Sequence, residues 1–330
     1  MKCLVTGGAG FIGSHLVEKL VLNGEDVVVV DDLSSGKISN LAAVLDQIDF
    51  HAIDVATPLL EPLLENVDVV FHLAARADIV PSIVQPTEYM LANVVGTLRV
   101  MEASRKHSVG KVIYAASSSC YGLAQQIPTS EAASINPMYP YALSKWMGEE
   151  IVFHWTQLYK MNSLSLRLFN VYGPRARTSG NYGAVLGVFF AQKLAGAPLT
   201  IVGDGTQARD FIYVDDVVEA FISASKSGES GVAINIGANN PISVNDVAGL
   251  IGGDTVNIPH RPGEPAVTHA DTKLAQEILN WSPKIDFETG MKLTMANMEV
   301  WHDAPIWSAE AIAVATEDWF KYLSGTEPAN

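Results

Sequence analysis

The sequence is poor in cysteine and in positively charged residues. Cys3 and Cys120 are the only cysteines among 330 residues, and they form no C-x-x-C pair, which excludes a disulfide scaffold and a thiolate metal knuckle. Lysine and arginine number 21 against 36 aspartate and glutamate, giving a formal net charge of −15. A chain this acidic is not built to neutralise many phosphates, so no nucleic-acid partner is predicted. An anionic ligand must therefore meet a local cluster of cations.

Long apolar runs are also missing. No run approaches the roughly 18 residues that cross a bilayer, and the start, MKCLVTGGAG, lacks the apolar core of a signal peptide. We therefore expect no membrane partner and a location in the reducing cytoplasm.

His51, His72 and His154 are scattered without metal-ligand spacing, so no metal site is predicted. With 48% hydrophobic and 17% charged residues, the composition is that of a globular protein.

The first half of the chain alternates short β-branched runs with longer segments of helical period. The runs predict strands at Lys2–Thr6, Asp26–Asp31, Phe50–Ile53, Val67–Leu73, Lys111–Ala116 and Ser163–Leu168. Nearly continuous apolarity, as in VVVV at 27–30, is typical of strands buried on both faces of a parallel sheet. The predicted fold is therefore α/β, a Rossmann-like doubly wound parallel sheet, with residues 1–168 as its main domain.

The second half of the chain lacks this regular alternation. A glycine-rich stretch at 173–183 and prolines at 241, 259, 262 and 265 interrupt it. We expect residues 169–330 to form a smaller lobe with a C-terminal helix, and 208–237 to pack back on the sheet. Ser308 is a candidate helix cap, and apolar residues follow it at helical spacing: Ile312, Ala315, Trp319, Phe320 and Leu323. This stretch is expected to pack on the body of the protein or on a second subunit.

A glycine-rich turn follows the first predicted strand. TGGAGFIGSH places Gly7, Gly10 and Gly13 between that strand and a helix. Side chains at these positions would block the tight turn and hold a pyrophosphate away from the helix N-terminus, which binds anions through its free N–H groups and dipole. The second strand ends in Asp31 and Asp32, where an acid accepts from ribose hydroxyls and repels a 2′-phosphate. The arrangement predicts NAD rather than NADP as cofactor, and a plain strand-to-helix turn is the alternative.

Polar groups of two kinds follow the fifth predicted strand. In YAASSSCYG, Ser117, Ser118 and Ser119 are candidates for a nucleophile, a hydrogen-bond donor or a turn. Farther on, MYPYALSK predicts a helix that carries Tyr141 and Lys145 four residues apart on one face. A nearby cation and an oxidised nicotinamide both lower the pKa of a tyrosine toward neutrality. Tyr141 is thus a candidate proton acceptor, although a Y-x-x-x-K pair alone is common on surfaces.

Together these motifs resemble those of the extended short-chain dehydrogenase/reductase family. The resemblance is carried by TGGAGFIG, Asp31, HLAA at 72–75, SSSCYG, YALSK, RLFNVYGPR and GDGTQARDFIYVDD, and it extends to about Met291. Within the family, the chain is most similar to NAD-dependent nucleotide-sugar epimerases of the UDP-glucose 4-epimerase type. The resemblance implies bound NAD and the 4-epimerisation of a nucleotide sugar through a transient 4-keto sugar. A dehydratase or decarboxylase of the same family and a non-catalytic NAD-binding sensor are the alternatives.

The resemblance implies catalytic roles for three residues. Ser117 corresponds to the family's catalytic serine or threonine, which donates a hydrogen bond at the reacting hydroxyl beside Tyr141. Lys145 corresponds to the lysine that holds the nicotinamide ribose. Family dehydratases carry an Asp-Glu pair directly after the catalytic residue, where this chain has Ser118 and Ser119, either ligand contacts or turn hydroxyls. No G-x-S-x-G elbow is present, so a nucleophilic serine is excluded.

The ligand sites are expected to include further residues. The expected cofactor contacts are Gly7, Gly10, Phe11, Ile12, Gly13, Asp31, Asp32, Ser34, Asp54, Val55, Leu73, Ala74, Ala75, Tyr141 and Lys145. Asp54 and Val55 end the third strand, and they either flank the adenine or act as a strand cap and a core residue. The expected substrate contacts are Ser117, Ser118 and Ser119, with Asn170 and Arg209 at the diphosphate, Arg261 at the nucleotide and Thr268 in the hexose pocket.

Two further expectations follow from the resemblance. Thr268 lies where the family varies a pocket residue, and its small side chain leaves room for an N-acetyl group. Residues 82–107 and 141–160 correspond to helical stretches that commonly form a dimer interface in the family. The resemblance therefore implies a homodimer, with residues 169–330 as the substrate-binding lobe.

Overall fold

Seven parallel strands form the central sheet of the computed structural model, which describes residues 1–176 and 185–324. In chain order the strands are β1 (Lys2–Thr6), β2 (Asp26–Asp31), β3 (Asp49–Ala52), β4 (Val69–His72), β5 (Lys111–Ser117), β6 (Ser163–Leu168), β7 (Asn170–Tyr172), β8 (Leu199–Val202), β9 (Ala208–Tyr213), β10 (Val232–Ile236), β11 (Pro241–Ser243) and β12 (Thr255–Ile258). The central sheet has the order β10-β6-β5-β4-β1-β2-β3, and every neighbouring pair is parallel. The strand order reverses between β1 and β4, and doubly wound sheets bind ligands at the carboxyl ends of such strands.

Helices cover both faces of this sheet. In chain order they are α1 (Phe11–Leu22), α2 (Ile79–Val84), α3 (Pro86–Tyr89), α4 (Gly96–Lys106), α5 (Pro140–Tyr159), α6 (Val185–Leu194), α7 (Val214–Lys226), α8 (Val244–Ile251), α9 (Lys273–Leu279), α10 (Phe287–Met295), α11 (Ala309–Ala315) and α12 (Glu317–Leu323). A π-helical turn, Met90–Val95, joins α3 to α4. Short 3-10 helices lie at Ile38–Leu41, Leu45–Gln47, Pro58–Leu64, Ser118–Tyr121 and Met298–Trp301.

Alternate residues of each central strand pack on opposite faces of the sheet. On one face, Phe71 and Ile113 pack with residues of α1 and α7. On the other face, Val70 and Val112 pack with residues of α4 and α5. The four valines at 27–30 are all buried, as a strand covered on both sides requires. The predicted doubly wound α/β fold is therefore confirmed.

The remainder of the chain adds two small sheets and a layer of helices. β9 pairs with β7 in parallel and with β11 antiparallel, while β8 pairs with β12 in parallel. A second core, which includes Phe189, Phe190 and Trp301, lies among α6, α8, α10 and the two C-terminal helices. Within the region 208–237, α7 packs on the central sheet and β10 is an edge strand of it, whereas β9 belongs to the three-stranded sheet.

Several boundaries differ from the predictions. The helical stretch predicted at 82–107 is interrupted after Val84, because Gln85 leaves the helical region (φ −127°, ψ 56°) ahead of Pro86, and proline disfavours helical backbone before it. The predicted C-terminal helix is two short helices that meet at Thr316. The glycine-rich loop predicted at 173–183 lies, from residue 177 onward, outside the described residues.

The sequence analysis predicted neither a membrane-spanning helix nor a metal site. Among residues 1–176 and 185–324, no helix has both the length and the apolarity needed to cross a bilayer. Over the same ranges, no group of three or more histidine, cysteine, aspartate or glutamate side chains is arranged to hold a metal ion.

Candidate active site

The turn between β1 and α1 forms a tight cradle at the carboxyl edge of the sheet. Gly7 has a φ of +70°, and a Cβ there would lie 2.7 Å from the backbone nitrogen of Ala74, in the loop after β4. A Cβ on Gly13 would overlap the carbonyl oxygen of Gly7, so both glycines are required by close backbone approach. Gly10 precedes the first turn of α1, whose leading N–H groups have no acceptor within the helix. This cradle fits a dinucleotide pyrophosphate.

Asp31 stands beside the cradle at the end of β2. Its carboxylate accepts the N–H of Ala9 at 2.9 Å and that of Leu33 at 2.8 Å. Burial raises the pKa of the Asp31 carboxyl, and these N–H bonds oppose the rise. Asp32 is exposed and accepts the N–H and hydroxyl of Ser34 at 2.9 and 2.6 Å. Of the two acids, Asp31 is therefore the one held against the glycine turn.

Asp54 and Val55 follow β3, which ends at Ala52. The Asp54 carboxylate accepts the N–H of Ala56 at 2.8 Å, which is the contact of a turn cap. Val55 is buried in the core on the α4 and α5 side of the sheet. These contacts are those expected of Asp54 as a strand cap and of Val55 as a core residue. That the two residues flank the adenine stays a prediction.

Ser117 and Tyr141 come from different elements and meet in one cavity. Ser117 ends β5, and its Oγ lies 2.8 Å from Ser119 Oγ and accepts the Ser119 N–H at 3.2 Å. Burial raises the pKa of Tyr141, whereas interaction with the Ser117 hydroxyl lowers it. Ser118 also lines the cavity. The strand end and the helix thus bring the predicted serine and tyrosine together.

The predicted cation, Lys145, is buried one turn along α5 from Tyr141. Its Nζ lies 4.4 Å from the centroid of the Tyr114 ring. Burial lowers the pKa of Lys145 to about 7, and the charge of Glu149 opposes that fall. We expected a lowered pKa for Tyr141 from Lys145 and an oxidised nicotinamide together, but in the protein alone burial of the phenol raises it. The positive charge of a bound oxidised nicotinamide would oppose that rise.

A buried ionic network, which the sequence analysis missed, is centred on Glu149, one turn after Lys145 on α5. Glu149 accepts from Arg167 Nη2 at 2.6 Å and from the Ser165 hydroxyl at 2.6 Å. Arg167 also donates to the Tyr121 hydroxyl at 2.8 Å, and Tyr121 donates to Asn235 at 2.7 Å. The network ties α5 to β6 and β10, and so fixes the helix that carries Tyr141 and Lys145. A glutamate four residues after Lys145 is the signal that could have found it.

The cavity beyond Tyr141 has a volume of about 480 Å³ and contains all the predicted substrate contacts. Thr268 Oγ1 donates to Asn170 Oδ1 at 3.1 Å. Arg209 donates to Glu264 at 2.6 Å and to the carbonyl oxygen of Pro265 at 2.8 Å. Arg261 Nη1 lies 3.9 Å from Glu264. Arg209, predicted at the diphosphate, and Arg261, predicted at the nucleotide, therefore share one carboxylate, Glu264, which the sequence analysis did not single out.

Aromatic side chains that the sequence analysis did not assign to the site also line this cavity. Tyr139, which has no lysine partner four residues later, stacks parallel to Tyr141 with ring centroids 6.5 Å apart. Trp301, Trp307 and Trp319 come from the C-terminal stretch and form part of the same wall. Cys120 is buried rather than exposed in the cavity, and burial raises the pKa of its thiol to about 12.

Gly13→Ala is expected to weaken NAD binding by about tenfold or more, because relieving the clash with the Gly7 carbonyl must open the turn. The measurement is the NAD content of the purified protein, followed by titration of the stripped protein with NAD. Gly249→Ala is the matched control, because Gly249 is also helical and nothing lies within 4 Å of a Cβ there. Full NAD retention by Gly13→Ala would contradict the assignment of the turn.

Comparison with known proteins finds one matching family and relatives that act on nucleotide sugars. The family described as the NAD dependent epimerase/dehydratase family matches residues 3–237. A UDP-glucose 4-epimerase of Mycolicibacterium smegmatis is 38% identical over 306 residues, covering 89% of this chain and 97% of that protein. A UDP-N-acetyl-alpha-D-glucosaminuronate decarboxylase of Bacillus cytotoxicus is 34% identical over 313 residues, covering 89% and 96%.

The fold has equally consistent relatives among solved structures. The crystal structure of a UDP-glucose 4-epimerase with UDP-glucose, from Thermotoga maritima, superimposes with a TM-score of 0.86 at 36% sequence identity, covering 91% of this chain and 99% of that one. The predicted membership of the extended short-chain dehydrogenase/reductase family is confirmed. The chain belongs to the NAD dependent epimerase/dehydratase family, and NAD is its cofactor.

Proposed function

We propose that this chain is a UDP-sugar 4-epimerase, acting on UDP-glucose and UDP-galactose or on their N-acetyl forms. The observation that carries the proposal is that Tyr141 and Ser117 open onto a cavity that continues to Arg209 and Arg261. A phenol at one end and arginines at the other match a sugar linked to a diphosphate. The small Thr268 side chain supports the inclusion of N-acetylated hexoses.

The proposed reaction uses few groups. The chemistry that bound NAD would supply is hydride transfer, away from C4 in the oxidation and back to the opposite face of C4 in the reduction, with no net change in the cofactor. Tyr141 accepts the C4 hydroxyl proton as C4 becomes a ketone, and Ser117 donates a hydrogen bond to the C4 oxygen. After the 4-keto sugar has turned over in the cavity, Tyr141 returns the proton to the C4 oxygen, now with the opposite configuration. Gly7, Gly10 and Gly13 would hold the pyrophosphate of this cofactor, and Lys145 would hold its nicotinamide ribose.

Two features support epimerisation over dehydration and over a non-catalytic role. Elimination of water needs an added acid and base, and the chain has Ser118 and Ser119 where the family's dehydratases carry that pair. A non-catalytic sensor has no need of Tyr141 and Lys145 together, and this chain retains both on one face of α5.

We also propose a homodimer located in the cytoplasm. Leu98 of α4 and Met147 and Leu158 of α5 are apolar side chains exposed on the helices that the family uses for dimerisation. Both cysteines are free and buried, as suits a reducing compartment.

Incubation with a panel of nucleotide sugars tests the reaction. The purified protein is incubated with UDP-glucose, UDP-N-acetylglucosamine, UDP-glucuronic acid and dTDP-glucose, and the configuration at C4 is read by NMR. We expect the C4 epimer of at least one UDP-hexose, with no net consumption of NAD. Loss of water or of carbon dioxide, with no epimer from any member of the panel, would overturn the proposal.

A further inference from the structure

The C-terminal segment, residues 298–323, is an integral part of the second core. Trp301, Ile312, Trp319 and Leu323 are all buried. Ser308 caps α11 by accepting the Ala311 N–H at 3.2 Å, as its sequence context predicted. The segment therefore packs on the body of its own chain, which was one of the two predicted arrangements.

The relatives described above leave about a tenth of this chain unmatched. The Thermotoga maritima structure is covered over 99% of its length by 91% of this chain, and the Mycolicibacterium smegmatis protein over 97% of its length by 89%. The sequence resemblance ends at about Met291. The part of this chain without a match is therefore assigned to its C-terminal end, which includes the segment.

Trp319 links the segment to both ends of the candidate active site. Its Nε1 donates to the carbonyl oxygen of Pro262 at 2.7 Å, and its ring lies 5.8 Å from the guanidinium carbon of Arg261. On another side, the Tyr139 ring lies 6.2 Å from the Trp319 ring and stacks on Tyr141. One indole thus contacts both the predicted nucleotide-binding arginine and the neighbour of the candidate catalytic phenol.

The position of Arg261 matters because a carboxylate competes for it. Glu264 is already bonded to Arg209 and lies 3.9 Å from Arg261. An aromatic face holds a guanidinium by cation–π attraction without neutralising its charge. Trp319 therefore contacts the Arg261 guanidinium through its ring without adding a counter-charge.

We propose that Trp319 is a positioning residue for nucleoside diphosphate sugars, an inference that rests on the proposed function. By packing between Arg261 and Tyr139, it fixes the separation between the nucleotide anchor and Tyr141. The C-terminal segment thus forms one wall of the candidate substrate site.

The test compares Trp319→Leu with Trp319→Phe in the NAD-bound protein, with UDP as the probe in calorimetric titrations. Leucine keeps apolar volume but removes both the ring and the N–H donor, so the Kd for UDP is expected to rise about tenfold. Phenylalanine keeps a ring for Arg261, and a rise of less than about threefold is expected. Tyr322→Leu is the control, because Tyr322 is an exposed aromatic residue of the same helix. NAD content and melting temperature are measured for every variant.

A double-variant cycle separates positioning from general packing. In the Arg261→Gln background, Trp319→Leu is expected to weaken UDP binding by less than about twofold, because the ring acts through the guanidinium. Wild-type UDP affinity in Trp319→Leu would overturn the inference. Equal losses in the two Arg261 backgrounds, or a parallel loss of NAD, would overturn it as well. UDP binding needs no turnover, so failure of the epimerase proposal in the sugar panel is distinguishable from failure here.

Discussion

Tyr141→Phe is expected to lower kcat by about a thousandfold while leaving the NAD content and the affinity for UDP near those of the unaltered protein. The change removes only the phenolic oxygen, which is the proposed proton acceptor at C4. The phenyl ring keeps its packing against Tyr139 and Tyr89, whose centroids lie 6.5 and 6.4 Å away. The measurement is the steady-state rate of epimer formation with the best substrate of the panel, together with cofactor content after denaturation.

Tyr139→Phe provides a matched control for this experiment. Tyr139 is the parallel neighbour of Tyr141, faces the same cavity and loses the same single atom. We expect a change in kcat of less than about tenfold, because no proton transfer is assigned to Tyr139. A larger loss in Tyr139→Phe than in Tyr141→Phe would mean that the proton acceptor has been assigned to the wrong tyrosine. Full activity of Tyr141→Phe would exclude the proposed mechanism.

The parts of the molecule that the sequence predicted well are those set by local patterns. VVVV at 27–30 indicated a strand covered on both sides, and all four valines of β2 are buried even though β2 is the second strand from the edge of the sheet. The requirement for Gly13 follows from the Gly7 carbonyl six residues earlier, and the Tyr141–Lys145 spacing follows from one turn of helix. In each case the relevant neighbours are close in the chain, so their chemistry could be inferred before any tertiary contact was known.

What could not be predicted depends on contacts between distant segments. Arg167 lies in β6, where a charged residue in an apolar run gives no sign of its partner on α5. The spacing of Ile312, Trp319 and Leu323 predicted a buried helical face but not the surface that buries it. The pKa of Tyr141 was expected to fall through Lys145 and an oxidised nicotinamide, yet in the protein alone burial of the phenol raises it. Depth of burial is a property of the whole fold, and no local pattern encodes it.

Glu149→Ala is expected to lower the free energy of unfolding by about 3–5 kcal/mol, because it leaves the Arg167 guanidinium buried without its counter-charge. Both partners are largely inaccessible, with side-chain exposures of 8% for Arg167 and 2% for Glu149. Ser165 loses its acceptor in the same substitution. The measurement is urea denaturation of the NAD-bound protein, with the slope of the transition checked for constancy so that the change reports stability rather than compactness.

An exposed ion pair in the same protein supplies the control for Glu149. Lys106 and Glu61 are 2.9 Å apart, with side-chain exposures of 44% and 43%, so Glu61→Ala is expected to cost at most about 1 kcal/mol. In the double variant Glu149→Leu with Arg167→Met, both charges are gone and apolar groups fill the space, so much of the stability should return. If the double variant is no more stable than Glu149→Ala, the loss comes from packing rather than from an uncompensated charge. Recovery of stability without recovery of kcat would instead assign Glu149 a second effect, through the charge that it maintains on Lys145.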